Sequence, residues 1–260
     1  MGLVRVDAAG AVATLTLDRP EARNALSVDL CSAIVDGLSE IEGQEQARVV
    51  ALRGEGPVFC AGADYAAISG PDGLDFLPAF ESMLEAVGRF PLPVVAIIQG
   101  AALGGGLQLA TACDFRIAAE SSKIGIPSSR LGIVVNFENV QRLVLMAGIS
   151  TAKEALMTGR VYSGSEAYAA GLVSRFAPDA DLDAHADELV ASLATGAPLS
   201  VRGAKRAVQA VADDMANARR RDADAAQEID KLVMQAYNSE DLAEGLSALS
   251  EKRIPRFKGR

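Results

Sequence analysis

An apolar, strand-like run that ends in a glycine-rich turn and leads into an apolar helix constrains the fold of this chain most. Residues 94–99 read VVAIIQ, glycines follow at 100 and 104–106, and an apolar helical pattern continues to Ala112. Valine and isoleucine are typical of strands, and a short apolar run bounded by glycine fits a buried strand. Because further strands and helices alternate around this unit, we predict an α/β domain.

Strand and helix patterns fill the rest of the chain in a characteristic order. The first half alternates between the two, and Ser27 is predicted to be an N-cap. The second half is predicted to be almost wholly helical, without a linker or low-complexity tract. We predict a core at 1–195, followed by a helical trimerisation region at 196–260 of the same structural unit. The predicted strands are 3–6, 12–17, 49–53, 94–99, 115–118 and 123–126, and the predicted helices are 27–42, 76–89, 106–112, 138–147, 150–158, 165–170, 182–194, 200–216, 219–237 and 239–249.

The charge balance and the cysteines exclude several classes of partner. The net charge is −9, which disfavours nucleic acid and anionic membranes as partners. No apolar run approaches the ~20 residues of a membrane span. Three widely spaced cysteines and the absence of a signal-peptide pattern predict a reduced, cytoplasmic protein. No metal-ligand spacing occurs, and the single histidine, His185, argues against a Ser-His-Asp hydrolase and against a metal site.

Two glycine-containing segments are candidates for stabilising an oxyanion. Gly104–Gly106 opens a helix, whose first N–H groups have no internal partner and carry the positive end of its dipole. The segment 59–64, FCAGAD, also follows a strand, and two converging N–H groups are the usual geometry of an oxyanion hole. The alternative is that the glycines only permit tight packing. A phosphate-binding loop is excluded, because Leu107 and Gln108 follow where lysine and serine or threonine are needed.

Four motifs occur in an order that resembles the enoyl-CoA hydratase/isomerase (crotonase) family across essentially the whole chain. They are RPEARNAL at 19–26, FCAGAD at 59–64, GAALGGG at 100–106 and CD at 113–114, and the match continues through GLVS at 171–174 and EKR at 251–253. The resemblance implies a ClpP-like spiral of ββα units, assembled as trimers or as hexamers made of two trimers. The apolar stripe of Leu242, Leu246 and Leu249 on the last predicted helix agrees with a homotrimer or hexamer.

The resemblance also implies which residues contact an acyl-CoA or enoyl-CoA. Carried over by position, the oxyanion donors are the N–H groups of Ala63 and Gly105. Coenzyme A would enter as part of the ligand and not as a permanently bound cofactor. An arginine suits its phosphates, since the guanidinium is always charged and can bind them bidentately. The residues implied around coenzyme A are Arg23, Ala25, the stretch Ala61–Ala66 (with Ala61, Ala63, Asp64, Tyr65 and Ala66) and Lys252 of a neighbouring subunit.

The chain departs from the hydratase pattern where the chemistry is most demanding. A hydratase holds its water with two glutamates that act as general base and general acid. The corresponding positions are Gln108 and Ser128 here, so this chain resembles a subgroup without either carboxylate. Asn136 occupies the place of an aspartate nucleophile in related dehalogenases, and its amide can only donate or accept hydrogen bonds.

Two hypotheses from different classes remain open after these departures. The first is an acyl-CoA-binding protein with little or no hydratase activity; the GLQLA and PSS stretches at 106–110 and 127–129 resemble a subset of the family of this kind. The second is an active hydratase, isomerase or decarboxylase whose acid–base groups are relocated, with Glu138 as the displaced acid. Each residue also has a plainer interpretation: Gln108 lines a pocket, Ser128 completes a turn, and Glu138 is favoured by the dipole of its helix.

Overall fold

The computed structural model describes residues 2–8, 10–65, 73–219 and 223–260. The chain forms two compact units, and neither of them is continuous in sequence. The first comprises Met1–Ile124 and Tyr162–Val208, and the second comprises Gly125–Val161 and Gln209–Arg260. The predicted trimerisation region at 196–260 concerns assembly, and it stays a prediction.

A six-stranded sheet forms the centre of the first unit, with the order β1-β2-β3-β4-β6-β9. Only β1 is antiparallel to its neighbour, and the remaining pairs are parallel. Every residue of β4 is buried, as expected for an interior strand of a parallel sheet with both faces covered. The strands are β1 (Val4–Asp7), β2 (Val12–Leu17), β3 (Val49–Gly54), β4 (Val94–Ile98), β6 (Phe115–Ala119) and β9 (Arg175–Ala177).

Helices cover both faces of this sheet. Ser27 accepts a hydrogen bond from the N–H of Leu30 at 3.2 Å, which confirms the predicted N-cap of α1. On the opposite face, apolar side chains of α6 join those of β3, β4 and β6 in one buried cluster. Among the described residues in the ranges of the first unit, the helices are α1 (Val28–Glu42), α2 (Gly73–Arg89), α3 (Gly105–Ala112), α5 (Gly164–Ala169) and α6 (Leu182–Thr195).

A second, three-stranded sheet has the order β5-β7-β8, with β5 (Ala101–Leu103), β7 (Lys123–Gly125) and β8 (Val161–Tyr162). The prediction of a plain turn at 100–106 was wrong, because this stretch contains β5. The chain reaches the end of the first unit in β7 and returns to it in β8. The strand β5 lies directly before α3 and so helps to fix where that helix begins.

The second unit is mainly helical. Its helix α4 (Phe137–Thr158) is interrupted at Gly148, where φ is 81° and ψ is 165°, so the predicted break between two helices is confirmed. The other helices are α7 (Pro198–Arg219), which begins in the range of the first unit, α8 (Ala223–Tyr237) and α9 (Glu240–Ser250).

Apolar side chains of the last helices remain accessible, as the sequence predicts. Leu249 is 56% exposed, whereas Leu242 and Leu246 are half-buried. Among the helices that the structure describes, none is long and apolar enough to span a lipid bilayer.

Candidate functional site

The segment Ala61–Asp64 is held by strand-like backbone pairing with the segment before α1. The N–H of Leu26 donates to the carbonyl of Gly62 at 2.7 Å, and the N–H of Asp64 donates back to the carbonyl of Leu26 at 2.8 Å. Gly62 adopts φ +107°, which side-chain-bearing residues rarely do. This pairing uses the Gly62 carbonyl before Ala63 and the Asp64 N–H after it, and it leaves the Ala63 N–H between them.

The start of α3 approaches the same segment closely, and glycine makes this possible. A β-carbon on Gly106 would lie 2.3 Å from the carbonyl oxygen of Cys60, and one on Gly62 would lie 2.7 Å from that of Leu103. Contacts that short with backbone atoms cannot be relieved by a side-chain rotation. The Leu103 N–H also donates to the Cys60 carbonyl at 3.2 Å, so β5 and the FCAGAD segment are joined just before the helix.

The N–H groups of Ala63 and Gly105 are therefore neighbours. A β-carbon on Gly105 would lie 3.5 Å from the Ala63 nitrogen, and one on Gly62 would lie 3.6 Å from the Gly105 nitrogen. In the part of the chain that the structure describes, neither N–H has a hydrogen-bond acceptor. Two such donors, one of them at a helix N-terminus, can stabilise negative charge on a single carbonyl oxygen.

Two apolar side chains lie beside the backbone of Gly105. The Cδ1 of Leu26 lies 3.2 Å, and the Cε2 of Phe80 3.4 Å, from the position of a β-carbon on Gly105. Both side chains are buried, and the ring of Phe80 stacks on that of Phe76 with centroids 5.5 Å apart. Exclusion of water from this side lowers the local dielectric, which strengthens hydrogen bonds to a charged oxygen.

Sequence reasoning missed one residue that fixes this segment, Arg19. Its Nη1 donates to the Asp64 carboxylate at 2.6 Å and to the carbonyl of Ala25 at 3.1 Å. The fully buried Asn24 completes the arrangement by accepting from the Arg19 N–H and donating to the carbonyls of Glu55 and Val58. Arg19 stood in the RPEARNAL motif, but no local pattern pairs it with a residue 45 positions later.

The residues predicted to surround coenzyme A differ in their surroundings. Arg23 is exposed and left-handed, with φ 54°, and its carbonyl accepts from the Ala61 N–H at 3.0 Å. The Ala25 N–H donates to the carbonyl of Ala22, and the Ala25 carbonyl accepts from Arg19 Nη1, so both backbone groups are already hydrogen-bonded.

Tyr65, Ala66 and Lys252 complete the set of residues predicted to surround coenzyme A. Tyr65 is half-buried at the edge of a described range, and Ala66 lies outside the described residues. Lys252 is exposed in the second unit, with φ 54°. The structure therefore brings Ala61, Ala63 and Asp64 together with Gly105 in the first unit.

Gln108 is half-buried on α3, one turn after Gly105 and on the same helix face. Both of its backbone polar groups are hydrogen-bonded: the N–H donates to the Gly104 carbonyl at 3.1 Å, and the carbonyl accepts from the Thr111 hydroxyl at 2.8 Å. The side chain is an amide, which can hydrogen-bond but cannot act as a general base near neutral pH.

Ser128, Asn136 and Glu138 belong to the second unit. Ser128 is buried and begins the short 3-10 helix Ser128–Arg130. Asn136 is the N-cap of α4, where its side-chain oxygen accepts from the Asn139 N–H at 3.2 Å. Glu138 is exposed in the first turn of α4, where the helix dipole favours a negative charge.

Other groups that could carry chemistry are unsuitable for it. Burial raises the pKa of the Cys60 thiol to about 12, so the cysteine of the FCAGAD segment is not a thiolate at neutral pH. His185 is exposed on α6. Within the described ranges, no group of three or more His, Cys, Asp or Glu side chains could hold a metal ion.

Comparison with known proteins agrees with this geometry. The sequence profile of the enoyl-CoA hydratase/isomerase family matches residues 7–260. The enoyl-CoA isomerase/hydratase fer4 of Mycosarcoma maydis is 39% identical over 95% of this chain and 92% of its own length. The mitochondrial methylglutaconyl-CoA hydratase of Mus musculus is 33% identical over 95% of this chain and 80% of its own length.

Solved structures give the same result. A methylmalonyl-CoA decarboxylase in complex with 2-nitronate-propionyl-CoA is similar with a TM-score of 0.87, at 25% identity and 99% coverage of both chains. An enoyl-CoA hydratase/carnithine racemase of Magnetospirillum magneticum has a TM-score of 0.79 at 31% identity, with coverage of 100% of this chain and 97% of its own. The chain thus has the α/β crotonase fold and belongs to the enoyl-CoA hydratase/isomerase family.

Proposed function

We propose that this protein binds the thioester carbonyl of an acyl-CoA through the N–H groups of Ala63 and Gly105 and has little or no hydratase activity. The observation that carries the proposal is the pair of neighbouring N–H groups without an acceptor, one of them at the start of α3. Backbone donors in such a position bind a polarised carbonyl oxygen, and they stabilise the charged oxygen of an enolate still more strongly. They supply no proton transfer, however, which hydration also requires.

The absence of carboxylates at the two family positions supports the second part of the proposal. Gln108 and Ser128 cannot exchange a proton near neutral pH without an activating partner. Asn136, the third polar candidate, already uses its side-chain oxygen to cap α4. A polar set that binds without transferring protons fits a carrier or sensor of acyl-CoA better than it fits a hydratase.

A second candidate function is decarboxylation of an acyl-CoA. One of the solved relatives at a TM-score of 0.87 is a methylmalonyl-CoA decarboxylase. In an acyl-CoA with a carboxylate on the carbon next to the thioester, loss of CO₂ itself generates the enolate, which then takes one proton from solvent. This reaction therefore needs less acid–base assistance than hydration does. The same two N–H groups would then stabilise the enolate oxygen as the carbon–carbon bond breaks.

Calorimetric titration with three ligands tests the binding proposal. Butyryl-CoA carries the thioester carbonyl, its S-butyl thioether analogue lacks only that oxygen, and free CoA lacks the acyl chain. We expect butyryl-CoA to bind roughly 5- to 150-fold more tightly than the thioether, since hydrogen bonds to a polarised oxygen contribute about 1–3 kcal/mol. Equal affinity of butyryl-CoA and the thioether would reject an oxyanion hole.

The variant Gly105→Pro and a control sharpen this titration. Proline is tolerated at the first position of a helix and removes the N–H donor. The advantage of the thioester over the thioether should therefore decrease in this variant. Gly203→Ala changes an exposed glycine on α7, with nothing within 4 Å of the added carbon, and should keep the full advantage.

We also propose that the protein is a homotrimer or a hexamer made of two trimers. The helix α7 exposes Leu199, Val208, Val211 and Met215 by 48–86%, and apolar surface of this kind on one helix is typical of an interface. Light scattering should give three or six times the 27.0 kDa of one chain, and a mass of 27.0 kDa at micromolar concentration would contradict the proposal.

A further inference from the structure

Arg116 on β6 is a buried cation placed at the end of α3. Its side chain donates from Nη1 to the carbonyls of Cys113 at 2.7 Å and Ala110 at 3.3 Å, and from Nε to the carbonyl of Leu172 at 3.2 Å. Only 8% of the residue is exposed. Among the described residues, no carboxylate forms an ion pair with it, so backbone carbonyls provide its hydrogen bonds.

A buried guanidinium is costly, and burial lowers its pKa from the ordinary value. Two of the compensating acceptors are at the C-terminal end of α3, where the helix dipole is negative; the Ala110 carbonyl also accepts from the Cys113 N–H at 3.1 Å. The neighbouring Asp114 is oriented elsewhere, since it accepts from the Val94 N–H and from Lys205, each at 2.7 Å. Arg116 therefore acts on α3 and not as half of an ion pair with Asp114.

The helix held in this way is short. From Gly105 to Ala112, α3 has eight residues, so its two ends are only about 12 Å apart and move together. At its start, Gly106 is already in close contact with the Cys60 carbonyl. A shift of the C-terminal end would thus be transmitted to the Gly105 N–H, and misplacement by about 1 Å can cost ~10²-fold in a positioned interaction.

We propose that Arg116 is a positioning residue for the Gly105 donor: it holds α3 in place and thereby sets the geometry of the N–H that receives the thioester oxygen. This inference rests on the proposed function. It adds that the strength of thioester recognition is set in part by a residue at the opposite end of the helix from the ligand.

The variants Arg116→Met and Arg116→Lys test the proposal, with Ile117→Ala as the matched control. Methionine removes the charge and all donors, whereas lysine keeps the charge but cannot bind three carbonyls in the same fork. Ile117 is the next residue on β6, so its side chain points to the other face, where it is fully buried in the cluster with α6. Its truncation destabilises the fold without touching α3.

Two measurements are made on each protein. The first is the ratio of the affinities for butyryl-CoA and its thioether. The second is the infrared carbonyl stretch of bound ¹³C-labelled butyryl-CoA, which moves to lower frequency when donors polarise the oxygen. We expect Arg116→Met to reduce the ratio of the two affinities by roughly tenfold, which corresponds to the loss of one hydrogen bond. The carbonyl stretch should also move part of the way back to its frequency in free butyryl-CoA. Arg116→Lys should fall between Arg116→Met and wild type, and Ile117→Ala should match wild type in both measurements.

A wild-type ratio and a wild-type frequency in Arg116→Met would overturn the proposal, as would an equal loss in Ile117→Ala. If Arg116→Met does not fold, Arg116→Lys decides: an intermediate frequency supports the proposal and a wild-type frequency overturns it. The two proposals fail in different ways. If wild type does not prefer butyryl-CoA over the thioether, both fall, whereas a preference that survives in the Arg116 variants removes only the role of Arg116.

Discussion

Two regions that the family pattern assigns to one chemistry are built differently in this protein; the first consists of two segments and the second of one. At 61–64 and 104–106, the polar groups are backbone N–H groups, and glycines and main-chain hydrogen bonds fix them. At 127–138, the corresponding groups are side chains, and Asn136 is used for capping a helix. The contrast indicates that backbone donors are built into the fold, whereas a single substitution suffices to lose a carboxylate.

The largest expected effect is a gain of hydratase activity on restoring the carboxylates. Gln108→Glu combined with Ser128→Glu should raise hydration of crotonyl-CoA by roughly 10²-fold or more, because each positioned acid or base contributes ~10²–10⁴-fold. The double variant should exceed either single variant, since groups that act together are not additive. Gln227→Glu, on an exposed part of α8, controls for the added charge. If a double variant that still binds butyryl-CoA shows no gain, the missing carboxylates are not the reason for weak hydration.

A large loss of stability is expected at Gly106. In Gly106→Ala the new carbon would lie 2.3 Å from the Cys60 carbonyl oxygen, so we expect a loss of more than about 4 kcal/mol or failure to fold. The control Gly203→Ala should instead gain up to about 1 kcal/mol, because alanine is the better helix former. Urea unfolding measures both. A small loss of unfolding free energy in Gly106→Ala would mean that the backbone around the donors is not held rigidly by this close contact.

A smaller effect separates capping from ligand binding at Asn136. Asn136→Ala should lower the free energy of unfolding by about 1 kcal/mol, the usual value of an N-cap, and leave the affinity for butyryl-CoA unchanged. Ser163→Ala, which removes the cap of α5, is the matched control and should cost a similar amount. Weaker butyryl-CoA binding by Asn136→Ala without loss of stability would assign this side chain to the ligand.

The smallest effect is a pH dependence in the second unit. The Arg253 guanidinium and the Arg256 N–H lower the pKa of the Glu244 carboxyl to about 2. Because the folded pKa lies below the ordinary value, this interaction stabilises the fold above about pH 4.5 and is lost as the pH falls towards 2. Glu244→Gln should therefore flatten the stability curve in this window, and Glu40→Gln on α1 controls for the lost charge. If the slope of stability against pH is the same in Glu244→Gln as in wild type, the contact of Glu244 with Arg253 and Arg256 does not stabilise the fold.

The sequence predicts the elements with strong periodicity and misses those held by distant partners. The strand β2 and the cap at Ser27 are confirmed, as is the break at Gly148. The strands β5, β8 and β9 have two or three residues, which is too short for a periodic pattern.

Sequence distance also limits what can be predicted of the site. The link from Arg19 to Asp64 spans 45 residues and that from Arg116 to Leu172 spans 56, so local patterns do not contain them. Asn136 is the opposite case. A capping residue before an apolar helical pattern is a local signal, so its role as a cap was predictable. The family resemblance instead suggested that Asn136 contacts the ligand.

The rate at which the wild-type protein hydrates crotonyl-CoA shows whether the backbone donors are present without the carboxylate pair. The rate is followed as loss of the enoyl absorbance, on a preparation whose acyl-CoA sites have been counted by titration, with Glu138→Gln in parallel. We expect turnover several orders of magnitude below that of an ordinary hydratase, with no further decrease in Glu138→Gln. Turnover close to that of an ordinary hydratase, abolished by Glu138→Gln, would contradict this expectation and establish Glu138 as a relocated catalytic acid.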